Sequence, residues 1–224
     1  MYRRYAIYVT PQGALAQAGA QWLGWDIARG QTVEQPAVTG FDLARLTKRP
    51  RRYGLHATVK PPMILREGTT IEGLLEATAQ TANKLAPVYS DSLTVTRLGS
   101  FLALTNTGDT TALTAMAQAV VAQLDPFRAP PSTEELARRR KRPLTASQEA
   151  NLTRWGYPHV MEDYRFHITL TGPHPNIQDV MPQVAAYFTS VLPKPFIIDH
   201  LTVAGEDHDG MFHALARLPL GRAG

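Results

Sequence analysis

The pattern Tyr-x-apolar-His-x-Thr-apolar-x-x-Pro occurs twice in this chain, and it restricts the fold more than any other feature. The first copy is Tyr53-Gly54-Leu55-His56-Ala57-Thr58-Val59 with Pro62, and the second is Tyr164-Arg165-Phe166-His167-Ile168-Thr169-Leu170 with Pro173. Side chains of a strand alternate between two faces, so in each copy the apolar residues turn one way while His and Thr share the other. One His-x-Thr in an apolar strand is a weak motif. Two copies that agree at the flanking Tyr and Pro, each followed by a helical pattern and two strand-like runs, describe a duplicated unit.

The rest of the chain reads as alternating helices and short strands. Periodicity predicts a strand over 3–10, a helix over 13–27 with Leu15, Ala18, Trp22 and Trp25 on one stripe, and a long loop over 29–50. Helices are expected over 70–85, 110–124 and 177–191. A hairpin is expected around Gly99-Ser100, with further strands over 196–204 and 211–218. Residues 126–163, broken by Pro126, Pro130, Pro131 and Pro143, interrupt the repeat as a lid or insertion with helical pieces at 133–140 and 147–154. Strand, helix, strand, strand occurring twice implies an α+β fold, with helices packed outside mainly antiparallel sheets. One domain over 1–224 is expected, with approximate lobes 1–125 and 164–224 around the inserted segment.

Composition narrows the chemistry. The chain has 224 residues, 44% of them hydrophobic, which suits a folded globular protein. It has no cysteine, so disulfides, thiolate catalysis and Cys-based zinc or iron–sulfur sites are excluded. No apolar run is long enough to span a bilayer, and Met1-Tyr2-Arg3-Arg4 leads into a short strand, not a signal core, so a cytoplasmic location is expected. Neither Gly-x-Gly-x-x-Gly after a strand nor Gly-x-x-x-x-Gly-Lys-Ser/Thr occurs, which removes the main support for a nucleotide-cofactor fold. The formal charge of +4 is compatible with an anionic substrate. Its basic runs are Lys48, Arg49, Arg51 and Arg52 before the first motif, and Arg138 to Arg142 in the insertion.

Strand parity places Gly54, His56, Thr58 and Lys60 on one face of the first motif, and Arg165, His167, Thr169 and Thr171 on one face of the second. Each face then carries an imidazole, a hydroxyl and a cation. A pentavalent phosphorus transition state needs a base for the attacking oxygen, an acid for the leaving oxygen and donors for the nonbridging oxygens. Two imidazoles titrating near neutral pH supply the first two without a metal. His56, Thr58, His167 and Thr169 are the catalytic candidates. Lys60, Arg165, Thr171, Tyr157 and Trp155 are the substrate or phosphate-binding candidates, with Arg52 a weaker one. Tyr53 and Tyr164 fall on the core parity and are expected to pack. No cofactor is called for, and no metal: His208 with Glu206, Asp207 and Asp209 is read as an acidic Gly-containing turn.

These residues carry a resemblance. His56-Ala57-Thr58-Val59 and His167-Ile168-Thr169-Leu170 resemble the two motifs that name the 2H phosphoesterase superfamily, which includes cyclic phosphodiesterases and RNA 2'-5' ligase-like (LigT-like) proteins. Trp22-Leu23-Gly24, the stretch Tyr53 to Thr58, Trp155-Gly156-Tyr157-Pro158 and the stretch Phe166 to Pro173 resemble a bacterial, DUF1045-like branch often encoded with phosphonate-metabolism genes. The resemblance implies a bilobal duplicated fold whose motif strands face each other in a central cleft. His56 and His167 would be its acid–base pair, and Thr58 and Thr169 its phosphate-binding hydroxyls. It also implies a metal-independent hydrolase opening a cyclic phosphodiester, either a 2',3'-cyclic nucleotide end or a small sugar cyclic phosphate. RNA 2'-5' ligation and a non-catalytic phosphate- or RNA-binding module are the alternatives. The expected partner is a small phosphorylated substrate or an RNA end, with no membrane and no stable protein partner. The insertion is expected to act as a mobile cover that brings Trp155 and Tyr157 to the cleft and leaves Arg138 to Arg142 in solvent.

Overall fold

Alternation decides where the strands form, and the two Pro-flanked motifs decide where the sheet divides. The computed structural model describes residues 2–221. Its elements run β1 (Arg4–Val9), α1 (Gly13–Leu23), β2 (Trp25–Asp26), β3 (Gln31–Thr32), α2 (Leu43–Arg51), β4 (Ala57–Met63), α3 (Ile71–Asn83) and β5 (Val88–Ser90). They continue β6 (Leu93–Leu98), β7 (Phe101–Asn106), α4 (Thr111–Gln123), α5 (Thr133–Arg139), α6 (Ala146–Trp155), β8 (Ile168–Thr169), α7 (Ile177–Thr189), β9 (Phe196–Ile198), β10 (His200–Glu206) and β11 (Phe212–Pro219). Among the described residues no helix is long and apolar enough to cross a membrane.

The architecture is α+β with antiparallel pairing, as expected. A seven-stranded sheet has the order β11-β10-β1-β4-β8-β7-β6. Its two halves meet at β4 and β8, which share one register pair, Ala57 opposite Ile168. Pro61 and Pro62 follow in β4, and Pro173 follows β8. Proline donates nothing to a ladder, which fits so brief a pairing at the centre of the sheet.

The spatial halves are not the sequence lobes 1–125 and 164–224. The hairpin β6–β7, which follows the first motif, pairs with β8 of the second. The hairpin β10–β11, which follows the second motif, pairs with β1 beside β4 of the first. Each motif strand is therefore completed by strands from the other part of the chain.

One sheet face is the main core, where Ile7, Val9, Ala57, Val59, Leu102, Leu104, Ile168, Leu170, Leu201 and Val203 pack with buried residues of α1, α3, α4 and α7. Fully burying a side chain such as Ile168 stabilises by about 1.5–3 kcal/mol. A smaller cluster of Ala6, Tyr8, Trp25, Ile27, Ala204 and Phe212 covers part of the opposite face. Two local expectations fail. The helix expected over 13–27 ends at Leu23, because Gly24 takes a left-handed φ of 77° and its N–H caps the helix on Ala20. The loop expected over 29–50 contains α2, which Asp42 caps by accepting from the Arg45 N–H and whose basic last turn suits the negative end of the helix.

Candidate active site

The register of the two motif strands sets the geometry. Ala57 and Ile168 oppose each other across β4 and β8, and both are fully buried on the core side. One residue outward on either side, the antiparallel register sets His56 opposite Thr169 and Thr58 opposite His167. These four side chains lie on the other face, all half-buried. Directly opposed residues of such a pair have Cβ atoms about 4.5–5.5 Å apart, so the arrangement is a small crossed rectangle of two imidazoles and two hydroxyls. Thr105 and Thr96 extend the polar face, their hydroxyls 2.7 Å apart, and Phe101 lies with its ring centroid 6.2 Å from that of His167.

Both imidazoles are oriented in the same way. His56 Nδ1 lies 2.9 Å from the Gly54 carbonyl and His167 Nδ1 lies 2.9 Å from the Arg165 carbonyl, each two residues back. A carbonyl only accepts, so Nδ1 carries the hydrogen in both rings and Nε2 is left for the open face. His56 Nε2 lies 3.1 Å from Thr58 Oγ1, which donates to it while the ring is neutral. Burial pushes the His56 imidazole down to about 4, against the pull of the Gly54 carbonyl and with help from nearby His167. At neutral pH His56 therefore holds an unprotonated Nε2.

Tyr8 is the site residue that motif reading missed. Its ring centroid lies 3.8 Å from that of His56 with the planes tilted by 30°, and it stands opposite Thr58 in the β1–β4 register. The alternation Arg4, Ala6, Tyr8, continued by Thr10 just past β1, was the available signal, since Thr10 shares its hydroxyl with Thr202 at 2.6 Å on the same face. Tyr53 packs as expected, but against Phe212 and His56, with centroids at 5.0 and 5.8 Å, so it borders the site. Gly54, at a φ of 67°, turns the chain between Tyr53 and the strand. Tyr164 joins the main core.

Lys60 lies on the core side of β4 and not on the face that alternation predicts. The β1–β4 register runs Tyr8 opposite Thr58 and then Ile7 opposite Lys60, a bulge that inserts one residue and turns Lys60 to the core side. Lys60 is 1% exposed, with Nζ 3.2 Å from Asp125 Oδ1 and 3.2 Å from the Val121 carbonyl. It is a buried ion-pair member and not a free phosphate ligand. Burial lowers its amine to about 8 despite Asp125. We expect Lys60→Met to be neutral or stabilising at pH 7, because Asp125 keeps Arg128 at 2.8 Å. The folded value lies below the ordinary 10.5, so the wild type should gain stability relative to Lys60→Met as pH rises from about 8 to 10.5. Denaturant midpoints across that range check this. A loss of phosphate affinity in Lys60→Met would restore the ligand role.

Thr171 is corrected likewise. It is buried, and its Oγ1 accepts from the Leu102 N–H at 2.9 Å, so it straps β8 to β7 and does not face a substrate. Arg52 is engaged by Glu206 at 3.6 Å and by the Gly210 carbonyl at 3.2 Å. Arg165 is exposed. Trp155 and Tyr157 line, with Lys60, Arg128 and Arg139, a cavity of about 140 Å³ beside β4. Arg139 lies over the Tyr157 ring at 4.4 Å and pairs with Glu135 at 3.3 Å, so the basic run is not wholly in solvent. The inserted segment is anchored by Leu152 and Val160, 0% and 1% exposed, while α5 buries no residue. The acidic turn is used internally, with Asp207 accepting from the Asp209 and Met211 N–H groups and bonding His213 at 2.7 Å.

Residues 58–213 match the family model described as protein of unknown function (DUF1045). The chain is 37% identical over 233 aligned positions to ribose 1,5-bisphosphate phosphokinase PhnN of Janthinobacterium sp. (strain Marseille), covering 99% of this chain and 51% of that protein. It is 31% identical to the protein of the same name from Laribacter hongkongensis (strain HLHK9), covering 96% and 51%. The chain thus spans about half the length of these curated relatives. Among solved structures it is similar to a phosphoesterase (13% identity, 99% and 100% coverage, TM-score 0.48). It is also similar to Escherichia coli LigT complexed with 3'-AMP (11% identity, 99% and 100% coverage, TM-score 0.47).

Proposed function

The chain belongs to the DUF1045 family, and we propose that it is a phosphoesterase that opens a cyclic phosphodiester by two-histidine acid–base catalysis. The observation that carries this reading is the Ala57–Ile168 pair of β4 and β8, which brings together the residues flanking it, His56 and Thr58 on one strand and His167 and Thr169 on the other. Neutral His56 takes the proton of the attacking water at Nε2 as oxygen bonds to phosphorus. His167 gives a proton to the alkoxide released as the ring P–O bond breaks. Thr58 turns its hydroxyl from His56 to a nonbridging oxygen, joined by Thr169, and Arg165 adds charge from the open side. The product is a phosphate monoester. Proton exchange with solvent then resets both imidazoles.

Among substrates we favour the cyclic phosphate of a phosphorylated sugar over an RNA end, because the curated relatives carry a ribose bisphosphate in their names. Those names also carry a phosphokinase activity, but this chain spans about half of the relatives' length and holds no Gly-x-x-x-x-Gly-Lys-Ser/Thr loop, so no kinase step is proposed for it. A screen of cyclic phosphodiesters in excess EDTA, reading monoester release, tests the reaction. Activity should persist, and the acid limb of kcat/KM should fall near pH 4, where the His56 base takes up its proton. An acid limb near 6.5 would take the base role from His56. Chelator-sensitive activity restored by a divalent ion would replace the two-histidine mechanism with a metal-dependent one. Joining of labelled RNA halves without diester opening would favour ligation.

A further inference from the structure

Tyr8 holds a polar group that the fold itself does not use. The residue is 0% exposed, and among the described residues its hydroxyl has no hydrogen-bond partner. A phenylalanine would keep every ring contact, including the stack on His56 at 3.8 Å, without the cost of burying an unpaired hydroxyl. That cost falls beside the reactive imidazole, opposite Thr58, on the face where the hydroxyls of Thr10, Thr202, Thr58 and Thr169 gather. Resting on the phosphoesterase reading, we propose that the Tyr8 hydroxyl is a substrate-binding donor that meets a phosphate oxygen when an ester lies across His56.

Burial holds the phenol protonated, and Tyr53, Glu206 and Tyr157 act in the same direction, so it remains a neutral donor. Arg4 opposes this, but it is already bonded to Glu206 Oε1 at 2.8 Å. Tyr157 comes from the inserted segment and lies under Arg139, the last residue of α5, a helix that buries no residue. Tyr164 also has an unpartnered buried hydroxyl, but its ring packs in the main core and away from the hydroxyl-lined face.

The test is Tyr8→Phe in the full chain, with inorganic phosphate as the probe and Thr169→Val as the control. Without ligand, Tyr8→Phe should melt higher than the wild type by about 2–4 °C or more, because an unpaired buried hydroxyl is gone. Its phosphate Kd, read by calorimetry, should rise about tenfold, the worth of one good hydrogen bond. A melting temperature that is unchanged or lower would show an internal partner and overturn the proposal. Phosphate affinity kept in Tyr8→Phe but lost in Thr169→Val would overturn the Tyr8 role alone. Affinity unchanged in both, or no phosphate binding by the wild type, would sink the phosphoesterase reading and the Tyr8 role with it.

Discussion

His56→Ala and His167→Ala are each expected to lower turnover by about 10²- to 10⁴-fold while leaving the melting transition nearly in place. Both rings are half-buried on the open face, and neither belongs to the main core. The double variant should be far less than multiplicatively worse. Proton removal from water and proton delivery to the alkoxide belong to one transition state, so losing either partner already forfeits the concerted route. Single-turnover rates of the two single variants and the double variant measure the coupling. Full activity in either single variant would end the paired-histidine mechanism, and strict multiplicativity would show that the two rings act in separate steps.

Gly54→Ala should be the most damaging small substitution in the first motif. Gly54 has a φ of 67°, and an added Cβ would stand 2.7 Å from Ile27 Cβ. The left-handed conformation costs an alanine about 1–2 kcal/mol before that clash is counted. Relief of either strain moves the Gly54 carbonyl, which receives the His56 Nδ1 hydrogen at 2.9 Å. Without that acceptor the ring can hold its hydrogen on Nε2, where it no longer serves as a base. We therefore expect a lower melting temperature together with a loss of about 10-fold or more in kcat, approaching the worth of the base itself. In the second motif a carbonyl at the same place comes from Arg165, so Arg165→Ala keeps the acceptor and should act on KM through lost charge. A Gly54→Ala protein that melts and turns over like the wild type would remove the tautomer argument.

The success and failure of sequence reading follow from range. His56 and Thr58 share one face, as do His167 and Thr169, because alternation depends only on local backbone geometry. Helices α3, α4 and α7 were legible for a similar reason, since their apolar stripes and polar ends lie within one segment. Helix α2 was not, because Pro50 and its Lys and Arg residues mask a short face of Leu43, Leu46 and Thr47 at helical spacing behind the Asp42 cap. Tyr8 falls outside both motifs, and the alternation of β1 gives its face but not that this face meets His56, which only the β1–β4 pairing decides.

Sequence alone determined the α+β class, the duplicated His-x-Thr strands and their division into an apolar face and a hydroxyl-bearing face. Those are consequences of period-two geometry and of residue chemistry within a few positions. Tertiary structure decided that β4 and β8 would be neighbours, in the register that crosses the two motifs. It also decided that each motif's hairpin would complete the other's sheet, and that a bulge against β1 would send Lys60 into the core beside Asp125. Register between strands so distant in sequence is set by which buried surfaces fit together, and a one-residue slip reverses the face of every side chain beyond it. Local periodicity fixes a face within a strand, but which partner meets that face depends on the packing of the whole chain.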